Sequence, residues 1–287
     1  MNVASVPVEN STSETTDTSL PGNRPWLLLT AAVDARNGVG CLFSRSEREK
    51  QYIHSFRHFL RFFGKNQDLC KGIVFCENSG ADLAPFKLLV PFELTDRVEF
   101  LSLSPDPFRP EMGKSWNEML TIDTALEQTQ KIGADELFVK VTGRYPVLNL
   151  RTVFRNVCKT PDAVYMQFFP MMPMQGVSRN GRPPLADTRC IAIRRSVWKT
   201  DFEGKYETTI VNKIHFEHVA FQVWKEHRED NRFGFMKEAP LILGKQGSTM
   251  RIRGLAVPKT LEPLFLLARR MVHVSAFRKW EKQGCPV

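Results

Sequence analysis

The sequence predicts an α/β protein with a mainly parallel, Rossmann-like central sheet and helices on both of its faces. Three observations lead there. Short apolar runs recur through the first half: PWLLLTAAVD, GIVFC, RVEFLSL and ELFVKV. Segments with helical rather than alternating periodicity separate several of them. Each run also leads into a polar turn, as the carboxyl ends of parallel strands do before a crossover.

Residues 25–34 read as a buried strand, followed by an RNGVG loop. Ser46 and Glu49 have the spacing of a capping box. Tyr52, Ile53, Phe56, Phe59, Leu60 and Phe63 then fall on one helical face, and Gly64 is the stop signal. Residues 72–76 and 97–103 are the second and third strands. Ser115 and Glu118 offer a second capping box, for a helix that Gly133 closes. Residues 136–141 are the fourth strand. A short helix over 149–159 and a strand over 162–169 follow.

The second half is less regular. Residues 170–187, PMMPMQGVSRNGRPPLAD, hold too many Pro and Gly for a regular element and read as a long loop of the kind that closes over sites. Residues 189–195 are a strand, 215–230 an amphipathic helix and 258–280 a second helical region. The expected organisation is a disordered tail over 1–24, a single domain over 25–250 and a basic helical segment over 251–287.

Composition narrows the function classes. The chain has 287 residues, 42% hydrophobic and 25% charged, as an ordinary globular protein does. No uninterrupted apolar run approaches the ~20 residues that span a bilayer. The first residues have neither the basic start nor the apolar core of a signal peptide. The six cysteines (41, 70, 76, 158, 190 and 285) form no CxxC, which argues against a zinc site and a disulfide framework. A cytoplasmic setting is the simplest reading. Net charge is +9, concentrated late: from residue 245 onward nine Lys/Arg face Glu262 and Glu281. That segment suits an anionic membrane face, or is a solvated basic helix. Nucleic-acid binding is disfavoured, because no aromatic platform is interleaved with the basic residues.

In a parallel sheet, ligands bind beyond the carboxyl ends of the strands. Those ends are Thr30–Asp34, Glu77-Asn78-Ser79, 102–104 and Thr142–Tyr145. Glu77 is able to accept from the imide N–H of a base, and Asn78 to donate and accept; an Asx-type turn explains the same residues. Lys114 precedes a helix whose first N–H groups lack acceptors, a combination suited to phosphate. Lys140 alternates away from Val139 and Val141. Gly143 permits close backbone approach. Arg144 is able to grip a diphosphate or a carboxylate, and Tyr145 to stack on a ring. His54 and His58, and the His215-Phe-Glu-His218 run, lack a zinc spacing and a third ligand, so no metal site is expected.

These residues, in this order, resemble a GT-A glycosyltransferase, and in particular a group of bacterial surface-polysaccharide glycosyltransferase-like proteins. GIVFCENSGADL is similar to the family's base-holding turn and GKSWNEMLTIDTAL to its diphosphate-facing helix. Where the family carries Asp-x-Asp for a divalent metal, this chain has TGRY. The resemblance covers roughly residues 26–228. It implies a nucleotide-sugar donor and a glycan or lipid-linked acceptor. It also implies catalysis without a metal, with Lys140 and Arg144 meeting the charge of the diphosphate. Glu217 becomes the base, Asp187 the second candidate, and Arg189 the residue that orients either. A complement to the helix dipole is the other role open to Glu217. A non-catalytic nucleotide- or glycan-binding relative and a nucleotidyltransferase stand as the alternatives.

Overall fold

The computed structural model describes residues 24–34, 43–103, 109–159, 164–166, 168–169, 185–211, 214–227, 233–236, 239–242, 244–245 and 252–253. The tail over 1–23, most of the 170–187 loop and most of the basic C-terminal segment lie outside these residues, so the expectations placed on them are not met or refuted by the fold.

Four strands form the parallel half of the sheet: β1 (Trp26–Ala31), β2 (Ile73–Glu77), β3 (Val98–Ser102) and β4 (Leu137–Thr142). The other half is β8 (Cys190–Arg194), β5 (Val164–Met166) and β9 (Phe233–Phe235). The order is β3-β2-β1-β4-β8-β5-β9. β8 runs antiparallel to β4 and to β5, the reversed strand in an otherwise parallel sheet. This GT-A-like arrangement agrees with the predicted class, although the direction of β8 was not readable from its sequence. The predicted strand over 162–169 divides: β6 (Phe168–Phe169) leaves the main sheet to pair with β7 (Leu185–Ala186). A further pair joins β10 (Gly244–Lys245) to β11 (Ile252–Arg253).

Strand alternation builds two cores. Leu27, Leu29, Ile73, Phe75, Val139 and Val141 face one side, under α1 (Arg45–Lys65), α2 (Ala84–Lys87) and α4 (Leu150–Cys158). Leu28, Val74, Cys76 and Phe138 face the other side. There they meet α3 (Gly113–Gln128), α5 (Arg195–Asp201) and α7 (Phe216–Glu226), with α6 (Tyr206–Val211) packed on α3 and α7. Period-two alternation therefore sends Val139 and Val141 to the first core and Lys140 to the second.

Helix α1 shows how local sequence fixes an element. Phe56, Phe59 and Phe63 are each fully buried. The Phe56 ring meets Phe75 edge-on at 5.2 Å. Burying each such ring is worth about 1.5–3 kcal/mol. The cap is Ser44 with Glu47: the Glu47 N–H donates to Ser44 Oγ at 3.2 Å, and the Ser44 N–H to Glu47 Oε2 at 2.8 Å. The expected box at Ser46 and Glu49 is thus two residues too late; the motif repeats at both registers, and only one lies where the chain turns in. The second expected box does not form at all. α3 begins at Gly113, whose φ of +84° lets a short 3₁₀ turn over Pro110–Met112 enter the helix without a side-chain cap. That leaves Glu118 with no capping duty.

Among the described residues, no helix is long and apolar enough to cross a membrane.

Candidate functional site

The strand ends that the sequence singles out do converge. Thr30 sits between Cys76 and Thr142 in the register of β1, β2 and β4. The Gly143 N–H donates to the Thr30 carbonyl at 2.8 Å. A Cβ on Gly143 would lie 3.1 Å from that oxygen. The glycine is therefore required for the chain to approach β1, not for a ligand to approach the chain.

At the ends of β1 and β2 the polar groups hold one another. Glu77 is fully buried. Its Oε1 accepts from the Val33 N–H at 2.9 Å and from the Ser79 hydroxyl. Its Oε2 accepts from the N–H groups of Ser79 and Ala81, both at 3.0 Å. Ser79 Oγ also takes the Asp34 N–H at 2.8 Å. Both carboxylate oxygens are filled by the chain, so Glu77 is the staple of two loops rather than an acceptor for a base. Asn78 differs. Its Nδ2 donates to Thr121 Oγ1 at 2.5 Å, and Thr121 donates to the Asn117 carbonyl at 2.6 Å. Since the Thr121 proton is thus committed, the amide must present its nitrogen there, and Oδ1 is left buried without a donor.

Beyond β4, Lys140 corrects the sequence reading. It is fully buried on the α3–α7 side. Its ammonium donates to Glu118 Oε1, to Thr142 Oγ1 at 3.2 Å and to the Thr188 carbonyl at 2.8 Å. Three donors meet three acceptors, so Lys140 has no capacity left for a diphosphate. Its partner Glu118 was missed as a site residue because the capping reading absorbed it; the alternation that turned Lys140 inward was the signal that a buried carboxylate had to answer it.

Asp187, the second candidate for the base, corrects the reading in the same way. Asp187 is 1% exposed. Arg189 grips it with Nε on Oδ1 at 2.7 Å and Nη2 on Oδ2 at 2.6 Å. A carboxylate held at both oxygens by a guanidinium is a poor base. The pair orders the turn that enters β8.

Besides the Asn78 oxygen, two charged groups of the candidate site keep capacity among the described residues. Arg144, carried past β4 by Gly143, lies over the rings of Tyr145 (4.7 Å to its centroid) and Phe43 (5.6 Å). Its Nη2 donates to the Tyr145 hydroxyl. Its Nε and Nη1 are buried and have no acceptor among the described residues. Glu217, the second residue of α7, is half-buried, and its carboxyl is pushed above the ordinary glutamate value. Burial is the main cause; the Glu118 and Asp187 carboxylates add to it, while its own backbone N–H and His215 oppose it. Lys114 stands exposed in the first turn of α3.

The place where the resembling family carries its metal-binding Asp-x-Asp holds Thr142-Gly143-Arg144, whose guanidinium does not fit a divalent cation. Among the described residues no group of three or more His, Cys, Asp or Glu is arranged to hold a metal. His58 is tied to the Val147 carbonyl at 2.9 Å. Burial pushes the Cys190 thiol up to about 12 and Cys76 well above the ordinary value, so neither is a nucleophile.

No protein family's profile matches the chain, and no curated protein matches it. Among solved structures it is similar to the 2-C-methyl-D-erythritol 4-phosphate cytidylyltransferase of Francisella tularensis, at 14% identity and a TM-score of 0.42, covering 71% of this chain and 87% of that one. It is also similar to the 4-diphosphocytidyl-2C-methyl-D-erythritol synthase of Anaerococcus prevotii, at 10% identity and a TM-score of 0.46, covering 89% of this chain and 98% of that one.

Proposed function

We propose that this chain is a transferase that binds a nucleotide-activated substrate at the carboxyl ends of β1, β2 and β4 and moves its sugar to a hydroxyl acceptor. The observation that carries the proposal is Arg144. Two buried guanidinium donors without acceptors cost about 1–3 kcal/mol each, and an anionic ligand relieves that cost. A diphosphate supplies the oxygens. Lys114, exposed in the first turn of α3, is the second cation assigned to the phosphates in this reading.

In this reading Glu217 takes the proton of the acceptor hydroxyl, whose oxygen attacks the anomeric carbon. The bond from that carbon to the diphosphate breaks, and Arg144 meets the charge that develops on the leaving group. A raised carboxyl suits the role, since a stronger base takes the proton further. Lys140, Arg189, Asp187 and Glu77 have no contact with substrate in this reading: Glu77 holds the loops beyond β1 and β2, Asp187 with Arg189 holds the turn into β8, and Lys140 ties β4 to that turn. Independence from a metal belongs to the proposal. So do a glycan or lipid-linked acceptor and an approach of the basic C-terminal segment to an anionic membrane.

Nucleotidyl transfer is the second reading, because an arginine with open donors accepts a triphosphate as readily as a diphosphate. The test is calorimetric titration with UDP, GDP and CTP, with and without EDTA, on the wild type and on Arg144→Ala. Binding that survives EDTA and is lost in the variant supports the anion site; binding unchanged in the variant, or none at all, overturns it. Product analysis then separates the readings: a nucleoside diphosphate from a nucleotide-sugar marks sugar transfer, and pyrophosphate from a nucleoside triphosphate marks nucleotidyl transfer.

A further inference from the structure

Charge is divided unequally between the two faces of the sheet. Helices α1, α2 and α4, on one face, hold nine Lys/Arg against Glu47 and Glu49, a net charge of +7. Helices α3, α5, α6 and α7, on the other, hold four Lys/Arg against seven Asp/Glu, a net charge of −3. From Lys50 to Lys65 and from Asn149 to Lys159 there is no Asp or Glu at all. A molecule charged in this way is attracted to a polyanion and turned by it, one face leading.

Helices α1 and α4 lie side by side and run the same way. The His58 imidazole is 2.9 Å from the Val147 carbonyl, just ahead of α4. Further along, the Phe62 and Phe154 rings are 4.9 Å apart, and the Cys158 thiol donates to the Leu69 carbonyl at 3.5 Å, past the end of α1. The inner sides are sealed: every Phe and Tyr of the two helices is buried. The outer sides carry Arg57, Arg61 and Lys65 on α1 and Arg151, Arg155 and Lys159 on α4, each exposed and four residues from the next. Spacing of four sets each trio in a row along its helix. Among the described residues, the first five of these six take part in no ion pair.

We propose that the outer face of α1 and α4 docks on an anionic lipid surface. The shape of the face selects the partner. Two helices abreast, each about 10 Å across, present about 20 Å, too broad for a major groove about 12 Å wide. Single-stranded nucleic acid is held on aromatic platforms, and the rings of these helices are all turned inward. A lipid surface needs neither groove nor ring, and its anionic headgroups attract exposed Lys and Arg. Leu148, 52% exposed and three residues before Arg151, adds an apolar side chain that a headgroup region accommodates. The face ends at the candidate site, since Ser55, on the inner side of α1, donates to the Arg144 carbonyl at 2.6 Å. Docking therefore brings that rim beside the headgroups. Only the use of this closeness, by an acceptor carried on lipid, rests on the transferase reading.

The experiment is flotation of the full-length chain with vesicles of phosphatidylcholine alone and of phosphatidylcholine mixed with phosphatidylglycerol, at low and high salt. The wild type is expected to bind the mixed vesicles only, and high salt to release it. Arg57→Gln/Arg61→Gln and Arg151→Gln/Arg155→Gln should each lower the partition coefficient by roughly 10-fold with an unchanged far-ultraviolet dichroism spectrum. Arg269→Gln/Arg270→Gln, in the basic C-terminal segment, should keep most of the binding. The proposal is overturned if the wild type ignores the mixed vesicles or binds them regardless of salt. It is overturned equally if both helix variants bind as the wild type does while the C-terminal variant is released. Tighter binding of a duplex DNA or single-stranded RNA oligonucleotide than of the vesicles at the same salt, lost in the helix variants, would give the face to nucleic acid instead. Nucleotide titration reports on the transferase reading separately, and all three variants should bind nucleotide as the wild type does.

Discussion

The ends of β1 and β2 and the region beyond β4 occupy one rim of the sheet, yet they treat their charges in opposite ways. At β1 and β2, Glu77 satisfies four chain donors and keeps nothing in reserve. Beyond β4, Arg144 buries two donors without acceptors among the described residues, and burial holds Glu217 at a raised proton affinity. A buried polar group that is fully partnered supports structure. One left short in an otherwise well-partnered region is where a ligand completes the set. The comparison teaches that position on the rim is not enough to mark a binding residue; the remaining hydrogen-bonding capacity decides.

The largest expected effect tests the satisfied side. Glu77→Ala strands three N–H groups and a hydroxyl, and should cost on the order of 4 kcal/mol or more in urea unfolding. A loss under about 1 kcal/mol would show that the staple does not hold the loops. Next is the unsatisfied side. Arg144→Met should lower nucleotide affinity by about 100-fold, roughly 2–3 kcal/mol, while leaving stability unchanged or slightly raised. If stability falls as it does for Glu77, the contrast between the two regions is broken.

An intermediate case sharpens it. Asp123, on α3, accepts from Trp198 Nε1 at 2.6 Å and from the Gly204 N–H at 2.9 Å. Burial nevertheless raises its carboxyl to about 6 from 3.8. The folded state thus binds this proton more tightly than the unfolded chain does. The group's contribution is fully present below the unfolded value and is lost as pH rises from about 4 to about 6. The difference in urea stability between wild type and Asp123→Asn should change by on the order of 2 kcal/mol across that window. A flat difference would mean that the two donors cancel the effect of burial. The smallest effect lies at the seam of the two regions. Gly143→Ala crowds the Thr30 carbonyl and should cost about 1 kcal/mol, with a larger proportional loss of nucleotide binding because Arg144 is the next residue.

The strands of the parallel half were legible because they are apolar on both faces, and such runs have few other uses in a globular chain. Helix α1 was legible by period but not by start, since two Ser-x-x-Glu spacings overlap near its entry. The reversal of β8 was not legible, because strand direction depends on the connection and not on the residues within the strand. At the site, Arg144 and Glu217 were found by their types and positions. Lys140, Asp187 and Glu77 were found as well, but their roles were misread, because each role depends on a partner or a packing face that only the fold supplies; Arg189, expected to orient a carboxylate, grips that of Asp187. Glu118 lies 22 residues from Lys140 in the chain, and nothing local distinguishes it from any helix-start glutamate.

The reversed strand has a consequence for the order of assembly. β3, β2, β1 and β4 come from residues 26–142 and form one contiguous parallel unit, whereas β8, β5 and β9 come from the chain beyond it. The bonds from Lys140 to the Thr188 carbonyl and from the Thr142 N–H to the Arg189 carbonyl, 2.8 and 2.9 Å, both cross that boundary. Lys140 has its third acceptor, the Thr188 carbonyl, only once the two halves have docked, and α7 with Glu217 follows the strand that makes the joint. Acquisition of ligand binding during refolding should therefore lag behind the formation of the parallel half, and its rate should report the final joining of the sheet rather than its nucleation.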